Sequence, residues 1–72
     1  MTIDEFMRDI APKMRPGYVA MDENREWYFH ENKPNIICTW WDSPDDYWLT
    51  KVFDIDPVDD WTQSLRKVGC DE

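Results

Sequence analysis

Apolar residues near the start of the chain recur at the spacing of a helix. Four of them follow the i, i+3, i+4, i+7 pattern that places side chains on one helix face: Ile3, Phe6, Met7 and Ile10. The preceding Thr2 and the Glu5 three residues later fit a capping box. Pro12 disfavours helical geometry at the residue before it. The pattern therefore predicts a short amphipathic helix that ends near Pro12, followed by a turn at Pro16-Gly17.

Between residues 18 and 55 the pattern changes to runs of β-branched and aromatic residues separated by polar turns. The runs predict four strands: Tyr18–Met21, Glu26–His30, Ile36–Trp41 and Tyr47–Ile55. Asp, Asn and Pro dominate the connections, which is typical of turns. Because the connections are short, we expect an antiparallel meander in which each strand pairs with the next.

The last segment has the local features of a second helix. Asp56 suits the N-cap, Pro57 the first helical position and Gly69 the end. Four apolar residues share one helical face: Val58, Trp61, Leu65 and Val68. The chain is therefore predicted to be an α+β protein, in which a four-stranded antiparallel β-meander is flanked by an N-terminal and a C-terminal helix (α-β-β-β-β-α).

The length of 72 residues predicts a single small globular domain over 1–72. Five Trp, three Tyr and three Phe offer its core the large apolar surfaces that a short chain needs. The start of the chain has no signal-peptide pattern, and no run is apolar for long enough to form a membrane helix, so we expect a cytoplasmic protein. Cys38 and Cys70 follow no recognisable spacing. Free thiols are favoured in the cytosol, and a Cys38–Cys70 disulfide stays open.

The net charge of −8 narrows the class of partner. Direct binding to nucleic acid depends on Lys and Arg contacts to phosphate, and the eight basic residues here are scattered. Anionic membrane surfaces would repel the chain. The charge instead favours a basic protein partner, for instance one that binds nucleic acid, and speeds association with it.

Seven Asp residues lie between Asp42 and Asp60, among six large aromatic residues. Turn chemistry and the start of the predicted last helix account for most of these acids, and a solvated run is the simpler interpretation. Asp54, inside a predicted strand, has no such local reason. The functional interpretation is a partner-binding surface that takes its charge from Asp42, Asp45, Asp46 and Asp54 and its aromatic anchors from Trp41 and Trp48.

Metal and catalytic sites find little support in the sequence. The Asp54–Asp60 stretch lacks the glycine turn and the final glutamate of an EF-hand loop. If residues 32–35 closed a hairpin, His30 and Cys38 would be diagonal neighbours. A nucleophilic pair also needs an orienting third group, and no residue is marked for that role. We therefore expect no catalytic residue, no metal, no cofactor and no enzymatic activity.

In size, acidity and predicted helix–sheet layout, the chain resembles small acidic inhibitors from bacteriophages, including DNA-mimicking and anti-CRISPR proteins. The resemblance implies a non-enzymatic inhibitor that docks on a basic, nucleic-acid-binding site of another protein. It rests on composition and shape, so it assigns no residues. The alternative is a small structural or scaffolding interaction module that uses an exposed aromatic sheet face, with acids serving only solubility. A homodimer in which two such sheets meet is also open.

Overall fold

A four-stranded antiparallel sheet organises the computed structural model, which describes residues 1–69. Within those residues a second sheet has two strands, and one α-helix precedes both sheets. The elements follow in the order α1 (Ile3–Asp9), a first 3₁₀ helix (Ala11–Lys13), β1 (Gly17–Met21), β2 (Trp27–His30), β3 (Asn35–Ile37), β4 (Trp40–Asp42), β5 (Asp46–Trp48), a second 3₁₀ helix (Trp61–Gln63) and β6 (Arg66–Val68). The fold is therefore α+β, as predicted.

The first helix begins with the predicted capping box. The Thr2 hydroxyl accepts from the Glu5 amide at 3.1 Å, and the Glu5 carboxylate accepts from the Thr2 amide at 2.9 Å. The α-helix ends at Asp9, and the first 3₁₀ helix takes in Pro12 within its first turn. On the inner face of α1, Phe6 packs edge-to-face against Phe53, with ring centroids 5.6 Å apart. Local sequence thus specifies this part of the fold correctly.

The strand order corrects the predicted meander. The main sheet has the order β5-β2-β1-β6, while β3 and β4 pair only with each other. The predicted third strand, Ile36–Trp41, breaks at Cys38, whose φ of +54° lies in the left-handed region. Cys38 and Thr39 turn the chain into a hairpin that sets Ile37 opposite Trp40. Neither turn residue is of a type that favours turns, so composition gave no sign of the break.

The predicted fourth strand, Tyr47–Ile55, is also shorter than expected. β5 ends at Trp48, and the amides of Val52 and Phe53 both donate to the Leu49 carbonyl at 2.8 Å. These turn bonds reverse the chain. Leu49 and Ile55 are then both buried from a loop rather than from one strand face.

The predicted C-terminal helix does not form. Asp60, rather than Asp56, caps a single 3₁₀ turn by accepting from the Thr62 amide at 3.0 Å. The chain then runs as β6 along β1, with Val68 opposite Gly17. Three of the four residues of the predicted helical face, Val58, Trp61 and Val68, do contact the core. The free edge of β1, however, offers hydrogen bonds that a surface helix would leave unused.

The core lies between α1 and one face of the main sheet. Its buried members include Ile3, Phe6, Val19, Met21, Trp27, Phe29, Leu49, Ile55 and Val68. On the opposite face, Ala20 and His30 are fully buried, where β4 and the following loop meet the sheet. The Trp41 amide donates to the Asp22 carboxylate at 2.9 Å and fixes that contact. Among residues 1–69, no helix is long and apolar enough to cross a membrane.

Candidate partner-binding surface

The segment Asp42–Asp46, here called the acidic turn, joins β4 to β5 and exposes all three of its carboxylates. Ser43 holds the turn in place. Its hydroxyl donates to the Asp45 carbonyl at 2.9 Å, and its oxygen lies 2.7 Å from Nδ1 of buried His30. The acids are therefore carried by a segment tied to the centre of the main sheet.

These two contacts indicate which ring nitrogen of His30 carries a hydrogen. The Ser43 hydroxyl donates its one hydrogen to the Asp45 carbonyl, so its oxygen accepts a hydrogen bond from the N–H at His30 Nδ1. In the neutral ring this leaves Nε2 unprotonated, and Nε2 has no hydrogen-bond partner among the described residues. Burial lowers the pKa of His30, while the carboxylates of Asp46 and Asp42 raise it and offset part of that effect. His30 is thus a neutral structural support for the acidic turn.

Trp48 is an exposed ring held in one orientation. About half of its surface, 49 %, is accessible. Its indole N–H donates to the Glu26 carboxylate at 2.6 Å and lies 2.9 Å from the Thr50 hydroxyl oxygen. The Thr50 hydroxyl in turn donates to Glu26 at 2.8 Å. The hydrogen bond from Thr50, and to a smaller extent the one from Trp48, lowers the pKa of Glu26, so its carboxylate stays charged beside the ring.

Tyr47 lies on the other face of β5 and is 51 % exposed. Its ring centroid is 6.1 Å from that of Phe29, and the Arg15 guanidinium lies 5.3 Å from both centroids. Arg15 also pairs with Glu31 at 2.7 Å. The two faces of β5 therefore differ: one carries carboxylates, and the other carries aromatic rings beside an arginine that is paired with a glutamate.

Carboxylates that are distant in sequence gather around Tyr28 on the first of these faces. Partial burial raises the pKa of Tyr28, and Asp22, Glu26 and Asp46 raise it further. Burial likewise raises the pKa of Asp22, with a smaller contribution from Asp46. The acidic surface thus extends from the acidic turn to the β1–β2 connection. Sequence reasoning missed Asp22 and Glu26, since only the pairing of β5 with β2 brings them near Asp46.

The predicted anchor Trp41 is not available for docking in this structure. It is 7 % exposed, and its indole N–H donates to the Trp61 carbonyl at 3.1 Å. Its neighbour Trp40 is 41 % exposed and lies opposite Ile37 on the outer face of the hairpin. Adjacent strand residues point to opposite sides, so the sequence required one of the two tryptophans to be outside but did not say which.

Asp54 is exposed but separate from the acidic turn. Its carbonyl accepts from the Met1 amino group at 2.7 Å, next to the start of α1. This contact holds Asp54 beside α1 on the core side of the main sheet, whereas Asp46 pairs with His30 on the opposite face. The structure therefore brings together Asp42, Asp45, Asp46 and Trp48 of the predicted site, and leaves Asp54 and Trp41 elsewhere.

The diagonal contact predicted for His30 and Cys38 is absent, because β2 pairs with β1 and β5 and not with β3. Cys38 is exposed at the tip of the hairpin, and the alternative Cys38–Cys70 bridge involves a residue outside the described ones. Within residues 1–69, no three His, Cys, Asp or Glu side chains are grouped so that they could hold a metal ion.

Comparisons of the chain with protein-family models, with curated proteins and with solved structures give no significant match. The chemistry of the surface is thus the basis on which a function is assigned.

Proposed function

We propose that this protein is a non-enzymatic binding protein whose acidic, aromatic surface docks on a basic site of another protein and blocks it. The natural target is a site that otherwise holds nucleic acid, because such sites are built to receive closely spaced negative charge. The proposal rests on one arrangement: the three exposed carboxylates of the acidic turn adjoin the exposed ring of Trp48 on β5.

Charge and rings supply different parts of the binding. Carboxylates speed the encounter with a basic partner and orient it, and their effect weakens with salt. Exposed aromatic side chains supply most of the affinity when they enter a pocket. Trp48 is already fixed by Glu26 and Thr50, so less side-chain entropy is lost when it is covered.

The test compares capture of host proteins at several salt concentrations by the native chain and by two matched variants. The site variant replaces Asp42, Asp45 and Asp46 with Asn. The control variant replaces three exposed acids elsewhere, Asp4, Asp9 and Asp59, and so changes the net charge equally. We expect a basic protein to be captured at low salt by the native chain and the control variant but not by the site variant. Equal capture by both variants would show that binding depends only on net charge and not on the acidic turn, and it would overturn the proposal.

A scaffolding module is the second candidate, and one observation favours it. Ile36, Ile37 and Trp40 are all more than 40 % exposed on the β3–β4 hairpin, and Ile37 lies opposite Trp40 on one face. This function predicts binding, to a partner or to a second copy, that persists in high salt, is lost in Trp40→Ala, and is unaffected when the acidic turn is neutralised. The salt series above therefore separates the two candidates.

A further inference from the structure

β5 lies at the edge of the main sheet with one side unpaired. In the strand order β5-β2-β1-β6, β2 is its only neighbour among the described residues. All three of its residues are exposed. An unpaired edge of this kind presents a row of backbone donors and acceptors to any extended chain that can approach it.

The ladder with β2 shows which backbone groups face outward. The Leu49 amide donates to the Trp27 carbonyl at 2.8 Å, in register with the β2–β5 pairing. Hydrogen-bonded pairs occur at every second residue of an antiparallel ladder. The next such pair, two residues before Leu49, is therefore Tyr47 with Phe29. The N–H and C=O groups of Asp46 and Trp48 therefore point away from the sheet. Two residues of an added strand could pair with them.

We propose that the outer edge of β5 binds an extended segment of a basic partner, which adds to the main sheet as a fifth strand. This inference rests on the proposed function, since it takes the partner to be basic. A second copy of this chain is a poor occupant: pairing two β5 strands would bring acidic edges together in molecules of net charge −8. The short, charged edge thus discourages self-pairing and admits a strand of opposite charge.

The two faces of β5 define the sequence pattern of that segment. Side chains opposite Asp46 and Trp48 would share their face with Glu26 and Asp22, where a Lys or Arg meets carboxylates and an indole ring. A side chain opposite Tyr47 would lie on the face of the Phe29 and Tyr47 rings, where Arg15 is already paired with Glu31 and an apolar residue fits. The preferred ligand is therefore an extended peptide in which basic and apolar residues alternate.

The test uses a peptide of alternating Lys and Val, titrated into the ¹⁵N-labelled full chain. Two further peptides serve as controls: one with the same composition but lysines grouped at one end, and one with N-methyl groups on the amides that would face β5. We expect hydrogen exchange of the Asp46 and Trp48 amides to slow on binding. The Tyr47 amide should change little, because it already donates to β2.

N-methylation should weaken binding by about tenfold, since two backbone hydrogen bonds are lost. Equal salt-dependent affinity for the alternating and N-methylated peptides would overturn strand addition while leaving side-chain docking on a basic partner intact. Absence of binding by the alternating peptide would also overturn it. The host-capture experiment tests the proposed function separately, so the two failures are distinguishable.

Discussion

Trp40 and Trp41 are adjacent on β4, yet one is exposed and the other belongs to the interior. Their backbone pairings with Ile37 and Ile36 place the two side chains on opposite faces of the hairpin. The inner indole reaches the Trp61 carbonyl and so joins the hairpin to the second 3₁₀ helix. The outer indole makes no hydrogen bond within the described residues. Structural and binding roles are thus divided between neighbours.

This division predicts very different costs for the same substitution. Trp41→Ala should lower the free energy of unfolding by about 3–5 kcal/mol, because it leaves a cavity where a buried ring was packed. Trp40→Ala should cost less than about 1 kcal/mol. Urea unfolding followed by circular dichroism measures both. Equal losses would show that the outer tryptophan also supports the fold.

The buried hydroxyl of Ser64 should contribute to the stability of the fold. It is fully buried, its oxygen accepts from the Met21 amide at 2.8 Å, and its hydroxyl lies 2.6 Å from the Trp61 carbonyl. Ser64→Ala leaves a buried amide without a partner, so the free energy of unfolding should fall by about 1–3 kcal/mol. Thr39→Ala, at an exposed position whose backbone carbonyl is retained, is the control and should change it little. A loss no larger than that of the control would contradict this role.

Asp22→Asn should preserve or increase stability at neutral pH. The pKa of Asp22 is raised in the folded state, mainly by burial, so the folded chain binds this proton more tightly than the unfolded chain. The group therefore costs stability progressively as pH rises above its unfolded pKa of about 3.9. Asn keeps the oxygen that accepts from the Trp41 amide and removes the charge.

The gain from Asp22→Asn should be below about 1 kcal/mol, because the carboxylate is only partly desolvated. It should shrink as the pH is lowered towards 3.5, where the native carboxylate is protonated as well. Urea titrations at pH 7 and at low pH measure the difference. A clear loss of stability at neutral pH would mean that the charge itself holds Trp41 in place.

His30 should make stability fall as the pH drops below about 6.5. Its pKa is lowered in the folded state, chiefly by burial, so the unfolded chain binds the proton more readily. Its contribution is complete above the unfolded pKa of about 6.5 and is lost as pH falls towards the folded pKa. Because the chain has one histidine, the difference in slope between the native chain and a variant without it reports this contribution.

In His30→Asn the slope of unfolding free energy against pH just below about 6.5 should be flatter than in the native chain, whatever the variant's stability at neutral pH. The side-chain amide of Asn has no titrating group in this range and can still donate towards Ser43. Urea unfolding at several pH values gives the slope for both proteins. An unchanged slope in the variant would contradict the assignment to His30.

The sequence predicted those parts of the fold that depend on local chemistry. The capping box of α1 and the first two strands lie within a residue or two of the expected positions. The errors arise where long-range pairing decides. The same apolar spacing at Val58, Trp61 and Val68 satisfies either a helix face or a turn followed by a strand, and the free edge of β1 selects the second.

The candidate surface follows the same division. The exposure of the acidic turn was predictable from turn chemistry, whereas the convergence of Asp22, Glu26 and Asp46 around Tyr28 depends on the pairing of β5 with β2. That pairing skips two intervening strands, and no pattern in the sequence marks it. The contact between His30 and Ser43, which holds the acidic turn on β2, could not be predicted from the sequence for the same reason.

The most direct test of docking on a basic site is displacement of nucleic acid. A basic partner captured from the host is loaded with fluorescent DNA or RNA, and the native chain is titrated in while anisotropy is followed. We expect the native chain and the Asp4/Asp9/Asp59→Asn control to release the nucleic acid, and the Asp42/Asp45/Asp46→Asn variant to need at least about tenfold more protein. The advantage should diminish as salt is raised. Equal displacement by both variants, or stable binding of the chain beside the bound nucleic acid, would contradict the account.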